Sequence, residues 1–288
     1  MPSRQQELLS LFLRLAPIEG VSHAERAIAD EVTTILRRGG VRVLEDDAAG
    51  VVKGNAGNLL CFPPSFDGDA PAIVLEAHLD TVQSTALLRP LVKEDRVTSD
   101  GTTILGADNR MGLSILVDLL LGVAGSKAPH KNFFVALTVC EETGLYGADA
   151  IDLSRHKVTA TYVFDCSKRP GIYILESVGL YAYTAQFLGK AAHAGVAPEE
   201  GVSAIGLAAA AISKLRLGRI DADTTSNIGK IYGGEAVNVV PDKVTIEGEV
   251  RSFYPERIKQ ELEVIERTFE DAVRGAGRLQ FKAVPDFE

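Results

Sequence analysis

Ala72-Ile73-Val74-Leu75-Glu76-Ala77-His78-Leu79-Asp80 is a short apolar run, rich in branched side chains, that ends on an imidazole and a carboxylate. Such a run reads as a buried strand. Side chains two apart on a strand point the same way, so His78 and Asp80 leave the strand end on one face, where a carboxylate can orient an imidazole. That suits a metal ligand with its supporting group. Alone, a His-x-Asp triplet is more often a strand end with an exposed histidine and a turn aspartate. The rest of the chain decides between the two.

Two other runs have the same character. Asn132-Phe133-Phe134-Val135-Ala136-Leu137-Thr138-Val139-Cys140 ends in Glu141-Glu142-Thr143-Gly144, and Ala160-Thr161-Tyr162-Val163-Phe164 delivers Asp165. Adjacent carboxylates at a strand end repel each other unless they are solvated, neutralised by a cation, or divided by geometry into base and ligand. Between the His78 run and the run from Asn132, a glycine-punctuated loop from Gly101 to Gly112 leads into an apolar helix, Leu113 to Leu121, with Asp108 at its entrance. Taken alone, Asp108 reads as an N-cap. The loop lacks the lysine and hydroxyl spacing of a P-loop and the glycine spacing of a dinucleotide turn. Three strand ends and one loop-to-helix junction therefore carry acidic or imidazole side chains to the edge where an α/β sheet places its ligand site. One histidine with several carboxylates and no cysteine cluster suits a hydrolytic zinc, cobalt or manganese site rather than a structural one.

The 288 residues are 46% hydrophobic and 24% charged, as in a soluble globular chain of one large or two moderate domains. A net charge of -9 disfavours nucleic-acid and anionic-membrane partners. No apolar run approaches the roughly 20 residues of a membrane span. Cys61, Cys140 and Cys166 are widely spaced and odd in number, which excludes a full disulfide framework and fits a reducing cytoplasm. Ser22-His23-Ala24-Glu25 reads as a capping box opening a helix through Ile28, Val32, Ile35 and Leu36, closed by Gly39-Gly40, with His23 solvated or capping. Val41 to Glu45 and Asn58 to Phe62 read as strands. From Tyr181 the order is strand (to Leu188), helix (Val202 to Leu215), strand (Asn227 to Tyr232), strand (Val244 to Val250), helix (Glu256 to Val273) and strand (Leu279 to Val284), a ferredoxin-like succession.

The segments Ala77-His78-Leu79-Asp80, Gly106-Ala107-Asp108-Asn109-Arg110-Met111-Gly112, Glu141-Glu142-Thr143-Gly144 and Asp165 occur in an order and at intervals that resemble one family. It is that of the co-catalytic zinc metallopeptidases, including peptidase T, glutamate carboxypeptidase and aminoacylase, and the Gly-Ala-Asp-Asn form is most similar to the peptidase T branch. The resemblance implies a zinc-exopeptidase-like mixed α/β sheet flanked by helices over residues 1–178. A ferredoxin-like lid and dimerisation domain would follow over 179–288. It implies that His78 and Asp165 bind one zinc, Asp108 bridges two, and Glu142 binds the second. Glu141 would be the general base, Asp80 would hold His78, and a cis peptide would follow Asp108. Gly189-Lys190-Ala191-Ala192-His193-Ala194-Gly195 resembles the segment whose histidine helps stabilise the oxyanion. Asn238 and Arg251 lie in segments that resemble substrate-binding ones, where an arginine can pair with a peptide carboxylate.

The activity implied is hydrolysis of small peptides by a tripeptidase or aminopeptidase, in a homodimer joined through the lid. Carboxypeptidase or N-acyl-amino-acid deacylase chemistry on the same scaffold, and a catalytically silent dimerising remnant, are the alternatives. The sequence departs from the family in one respect. The family's catalytic domain returns after the lid to supply a last zinc-ligating histidine, and none of His23, His78, His130, His156 and His193 occupies that position. The expectation is one zinc bound better than two, weak or absent peptidase activity, and an uncovered apolar face that favours association. His130 and His156, in polar connecting segments, read as surface.

Overall fold

Phe133–Thr138 has no polar side chain before its last residue, and such a segment is stable as a strand only when both faces are covered. In the computed structural model, which describes residues 3–287, it lies at the centre of a five-stranded sheet. The chain forms two units, one ending at Ile172 and the other beginning at Tyr173. In chain order the first contains α1 (Arg4–Leu15), α2 (Arg26–Arg38), β1 (Arg42–Glu45), α3 (Ala48–Val52), β2 (Leu59–Phe62), β3 (Ala72–His78), β4 (Pro90–Val92), β5 (Val97–Ser99), α4 (Ala107–Ala124), β6 (Phe133–Thr138), α5 (Tyr146–Ala150) and β7 (Val158–Val163). Its main sheet has the order β1-β2-β6-β3-β7. The pairs β6–β3 and β3–β7 are parallel, whereas β1–β2 and β2–β6 are antiparallel.

This topology positions the site. His78 is in register with Thr138, and Glu76 with Val163, so the three parallel strands end together along one edge. One face of the sheet is covered by α2 and α4 through Ile28, Val32, Leu36, Leu113, Leu116 and Leu120; the other carries Phe62, Val74 and Phe134. At about 25 cal/mol per Å² of apolar surface removed from water, each fully buried leucine or phenylalanine contributes about 1.5–3 kcal/mol.

In the second unit β8 (Gly179–Leu188), β9 (Ala192–His193), α6 (Ala204–Ile212), β10 (Gly218–Arg219), β11 (Thr224–Gly233), β12 (Val239–Val240), β13 (Lys243–Ser252), α7 (Pro255–Val273) and β14 (Arg278–Phe287) follow one another. The sheet order is β10-β11-β13-β8-β14. Every neighbouring pair is antiparallel, which with the two helices gives the ferredoxin-like arrangement. Its core joins Tyr183, Ala185 and Phe187 of β8 to Ile258, Leu262, Ile265 and Phe269 of α7. Ala204, Ala208 and Ala211 bury the small-residue face of α6 in the same cluster. Among the described residues, no helix is long and apolar enough to cross a membrane.

Three local readings need correction. The capping box is not formed: Glu25 is the N-cap of α2 but makes no side-chain cap bond, and Asn55 Oδ1 accepts from Arg26 N instead. The connections before β2 and after Gly144 contain the short helices α3 and α5. His156 is not simply surface: its ring centroid lies 4.9 Å from that of Phe134, and its Nδ1 is buried. Phe62 and Phe66 flank the same ring from positions remote in sequence.

Candidate metal centre

The imidazole of His78 is held at the end of β3 with 1% of its side chain exposed. Nδ1 lies 3.1 Å from the Asp80 carbonyl oxygen and 3.3 Å from Asp80 Oδ1, so Nε2 faces the opposite way. Around Nε2 stand Asp108 Oδ1 at 3.0 Å, Glu141 Oε2 at 3.8 Å and Asp165 Oδ2 at 3.9 Å. These donors form two trios that share the imidazole, His78–Asp108–Asp165 and His78–Glu141–Glu142, with the donor atoms of each trio lying within 4.8 Å of one another.

Each carboxylate arrives for a local reason. Asp108 follows Gly106, whose φ of +66° and close approach to Thr85 Cγ2, 2.9 Å from where a β-carbon would stand, favour glycine. Asp108 and Asn109 depart from helical geometry inside α4, and the peptide between them is cis. Glu141 and Glu142 follow Cys140, which has a φ of +53° and turns the chain sharply at the end of β6. Asp165 lies two residues beyond β7.

Asp80 does more than orient His78. It is fully buried, and its carboxylate accepts from Glu141 N at 3.0 Å, Glu142 N at 3.1 Å and Ser22 Oγ at 2.7 Å. Burial alone would raise its pKa, but the bonds from His78, Ser22 and Glu141 hold it below the usual carboxylate range. Behind it Arg110, also fully buried, donates through Nη1 to Leu79 O and through Nη2 to Ile18 O at 3.0 Å. Burial pushes Arg110 down to about 10 against the charges of Asp80, Glu19 and Glu25.

The donor set fits a divalent cation. Burial, and next the Asp108 carboxylate, push Asp165 up to about 7. Burial also raises Glu141 and Glu142, with further contributions from Glu142 and Asp108 respectively. Burial disfavours a charged His78, yet Asp80, Glu141 and Asp165 together push it up to about 9. Crowded carboxylates around one imidazole repel one another and need positive charge. A cation would supply it, and the oxygen and nitrogen donors suit zinc, cobalt or manganese.

His193, Asn238 and Arg251 belong to the second unit. His193 in β9 is paired with Val239 in β12, and Ala194 N donates to Asn238 O at 2.9 Å, so this small sheet brings His193 and Asn238 together. The guanidinium of Arg251 on β13 is engaged by Glu249, with Nε and Nη2 each 2.9 Å from a carboxylate oxygen. Ser22, Glu25 and Arg110 were not singled out as site residues by the sequence pattern. The signals for Arg110 were its place in the Gly106–Gly112 segment and a cation opening an otherwise apolar helix.

Parallel strands that deliver a histidine and carboxylates to one sheet edge define a hydrolase site of the metal-dependent peptidase class. Residues 63–194 match the model of peptidase family M28, and residues 175–277 match that of the peptidase dimerisation domain. The uncharacterized protein YqjE of Bacillus subtilis is 36% identical over 273 residues, covering 95% of this chain and 73% of YqjE. The crystal structure of aminopeptidase PepT from Bacillus cereus matches with a TM-score of 0.88 and 36% identity, over 98% of this chain and 76% of that one. A tripeptidase from Staphylococcus aureus matches with a TM-score of 0.91 and 36% identity, over 99% and 76%. The chain belongs to the peptidase T-like family of co-catalytic zinc metallopeptidases and is a metallo-exopeptidase of that type.

Proposed function

We propose that the protein removes a terminal residue from short peptides, tripeptides above all, using zinc held by His78, Asp108, Asp165 and Glu142. The observation that carries this reading is the double trio around one buried imidazole. Support for the substrate class comes from the S. aureus tripeptidase and the B. cereus aminopeptidase. Bound metal would polarise the scissile carbonyl and stabilise its developing negative charge. Asp80 orients His78 so that Nε2 faces the cluster. Glu141, whose carboxyl is raised above its ordinary range mainly by burial, takes a proton from the attacking water at a carboxylate oxygen and returns it to the leaving amine. Within the trios, His78–Asp108–Asp165 is the set we assign to the tighter ion, because Glu141 in the other trio is assigned to proton transfer.

The first unit is thus the catalytic domain, and the second is a lid that also joins two copies. Support for dimerisation is the family match over residues 175–277. His193 would help stabilise the oxyanion, and Asn238 and Arg251 would bind the peptide. A cytoplasmic setting is consistent with three free cysteines. The deciding experiment titrates metal-free protein with Zn2+ and Co2+ and assays tripeptides beside N-acyl amino acids and C-terminally blocked peptides. Metal-dependent release of a free N-terminal residue is expected; preference for acylated amino acids would replace the proposal with a deacylase.

A further inference from the structure

Glu25 is fully buried, yet it does not serve the helix that it precedes. Asn55 caps that helix, and Glu25 turns inward: its Oε1 accepts from Cys140 N at 2.9 Å, Cys140 Sγ at 3.3 Å and His23 N at 3.1 Å. Cys140 is the hinge of the site. It holds a φ of +53°, a region unfavourable to a residue with a β-carbon, and the next two residues are Glu141 and Glu142. Three successive amides therefore point at buried carboxylates, Cys140 N at Glu25 and both Glu141 N and Glu142 N at Asp80. The same short segment secures both clamps, since Ser22 Oγ donates to Asp80.

We infer that Glu25 is a positioning residue for the reaction: by accepting the Cys140 amide, it fixes the turn that carries Glu141 and Glu142 to the imidazole of His78. This rests on the metallo-exopeptidase reading given above. A buried carboxylate retained only for stability would more simply be an apolar side chain. Placed on the amide before two functional carboxylates, its bond orients side chains that hold metal or move a proton, much as groups behind metal ligands do.

The test compares E25D and E25Q in the full chain, with Co2+ as metal probe, trialanine as substrate, and thermal melting of the metal-free protein as a separate readout. Aspartate keeps the charge but is one methylene too short for Cys140 N, whereas glutamine keeps the reach and the acceptor without the charge. Positioning predicts that E25D loses about 10- to 100-fold in both kcat and Co2+ affinity, as when other supporting groups of metal ligands are removed. KM should move by no more than about twofold, and E25Q should stay nearer the wild type than E25D. Greater loss in E25Q than in E25D overturns the inference. So does wild-type kcat and Co2+ affinity per folded molecule with only a lowered melting temperature, or failure of both variants to fold. If the wild type itself neither binds Co2+ nor cleaves trialanine, the underlying reading falls, and the inference falls with it.

Discussion

In the first unit, His78 and Asp80 are sealed from solvent, and the Asp80 carboxylate is tied to the backbone amides of Glu141 and Glu142. In the second, His193 and Asn238 are exposed on a two-stranded sheet, and the Arg251 fork rests on a neighbouring glutamate. Rigid, buried scaffolding suits groups that must hold a cation within a few tenths of an ångström. Exposed polar groups with local partners suit recognition, where a ligand takes over bonds already made within the protein. The difference predicts that substitutions in the first unit abolish chemistry, while those at Asn238 and Arg251 in the second change affinity for substrate.

The largest effect should come from His78→Ala, which removes the imidazole shared by both trios. Co2+ titration and tripeptide turnover should both fall to background. Glu141→Gln should separate the two readouts, with turnover down about 10²- to 10⁴-fold, the usual contribution of a general base, and Co2+ still bound. If Glu141→Gln loses metal and activity together, Glu141 is a ligand and the division of roles fails. In the second unit, Arg251→Ala should raise KM by about 10- to 100-fold, the worth of a charge-assisted hydrogen bond, with kcat nearly kept. An unchanged KM would remove Arg251 from substrate binding.

Protons sharpen the same contrast. Asp165 is pushed up to about 7 and His78 up to about 9, so each must release a proton before it can serve a cation. Co2+ affinity should weaken as pH falls, by about tenfold per pH unit for each proton displaced. The metal-free fold should show the opposite trend. Both folded pKa values lie above their unfolded ones, so these groups add stability at low pH. That contribution is lost as pH rises through about 7 for Asp165 and about 9 for His78. Melting of metal-free protein across this range, repeated with Co2+, checks both signs.

How much of this was legible in the sequence follows from where each signal is stored. β3 and β6 were readable because buried parallel strands are continuous apolar runs. The side chains gathered around His78 were readable because each follows such a run or opens an apolar helix. Ser22 to Glu25 was misread because a serine three residues before a glutamate satisfies a helix start just as well. Its actual acceptor pattern depends on Cys140, 115 residues away. His156 was misread for the same reason, since its aromatic neighbours come from β2, β6 and the loop at Phe66. The pair β4 and β5 and the helices α3 and α5 are too short to show a period. In each case a local pattern was compatible with two partners, and only the fold chose between them.

The smallest effect expected is at Asp221, and it isolates exposure as the variable. Asp221 Oδ2 accepts from Arg257 Nη2 at 2.7 Å, closer than any contact between His78 and Asp80, but about two-fifths of each side chain remains exposed. The Arg257 hydrogen bond, and next the Asp223 amide, hold Asp221 down to about 2. A depressed carboxylate adds stability above its unfolded pKa of about 3.9, and that contribution is lost as pH falls toward the folded value. Solvent and salt screen an exposed pair, so Asp221→Asn should shift the melting temperature only marginally at neutral pH, and less still at high salt. Asp80→Asn places an amide where a buried carboxylate now accepts from two backbone amides and a hydroxyl, and in either orientation its NH2 faces a backbone N–H. It should lower the melting temperature clearly and with little dependence on salt. Equal shifts in the two variants would show that burial does not set the worth of these contacts, and the contrast between the units would lose its physical basis.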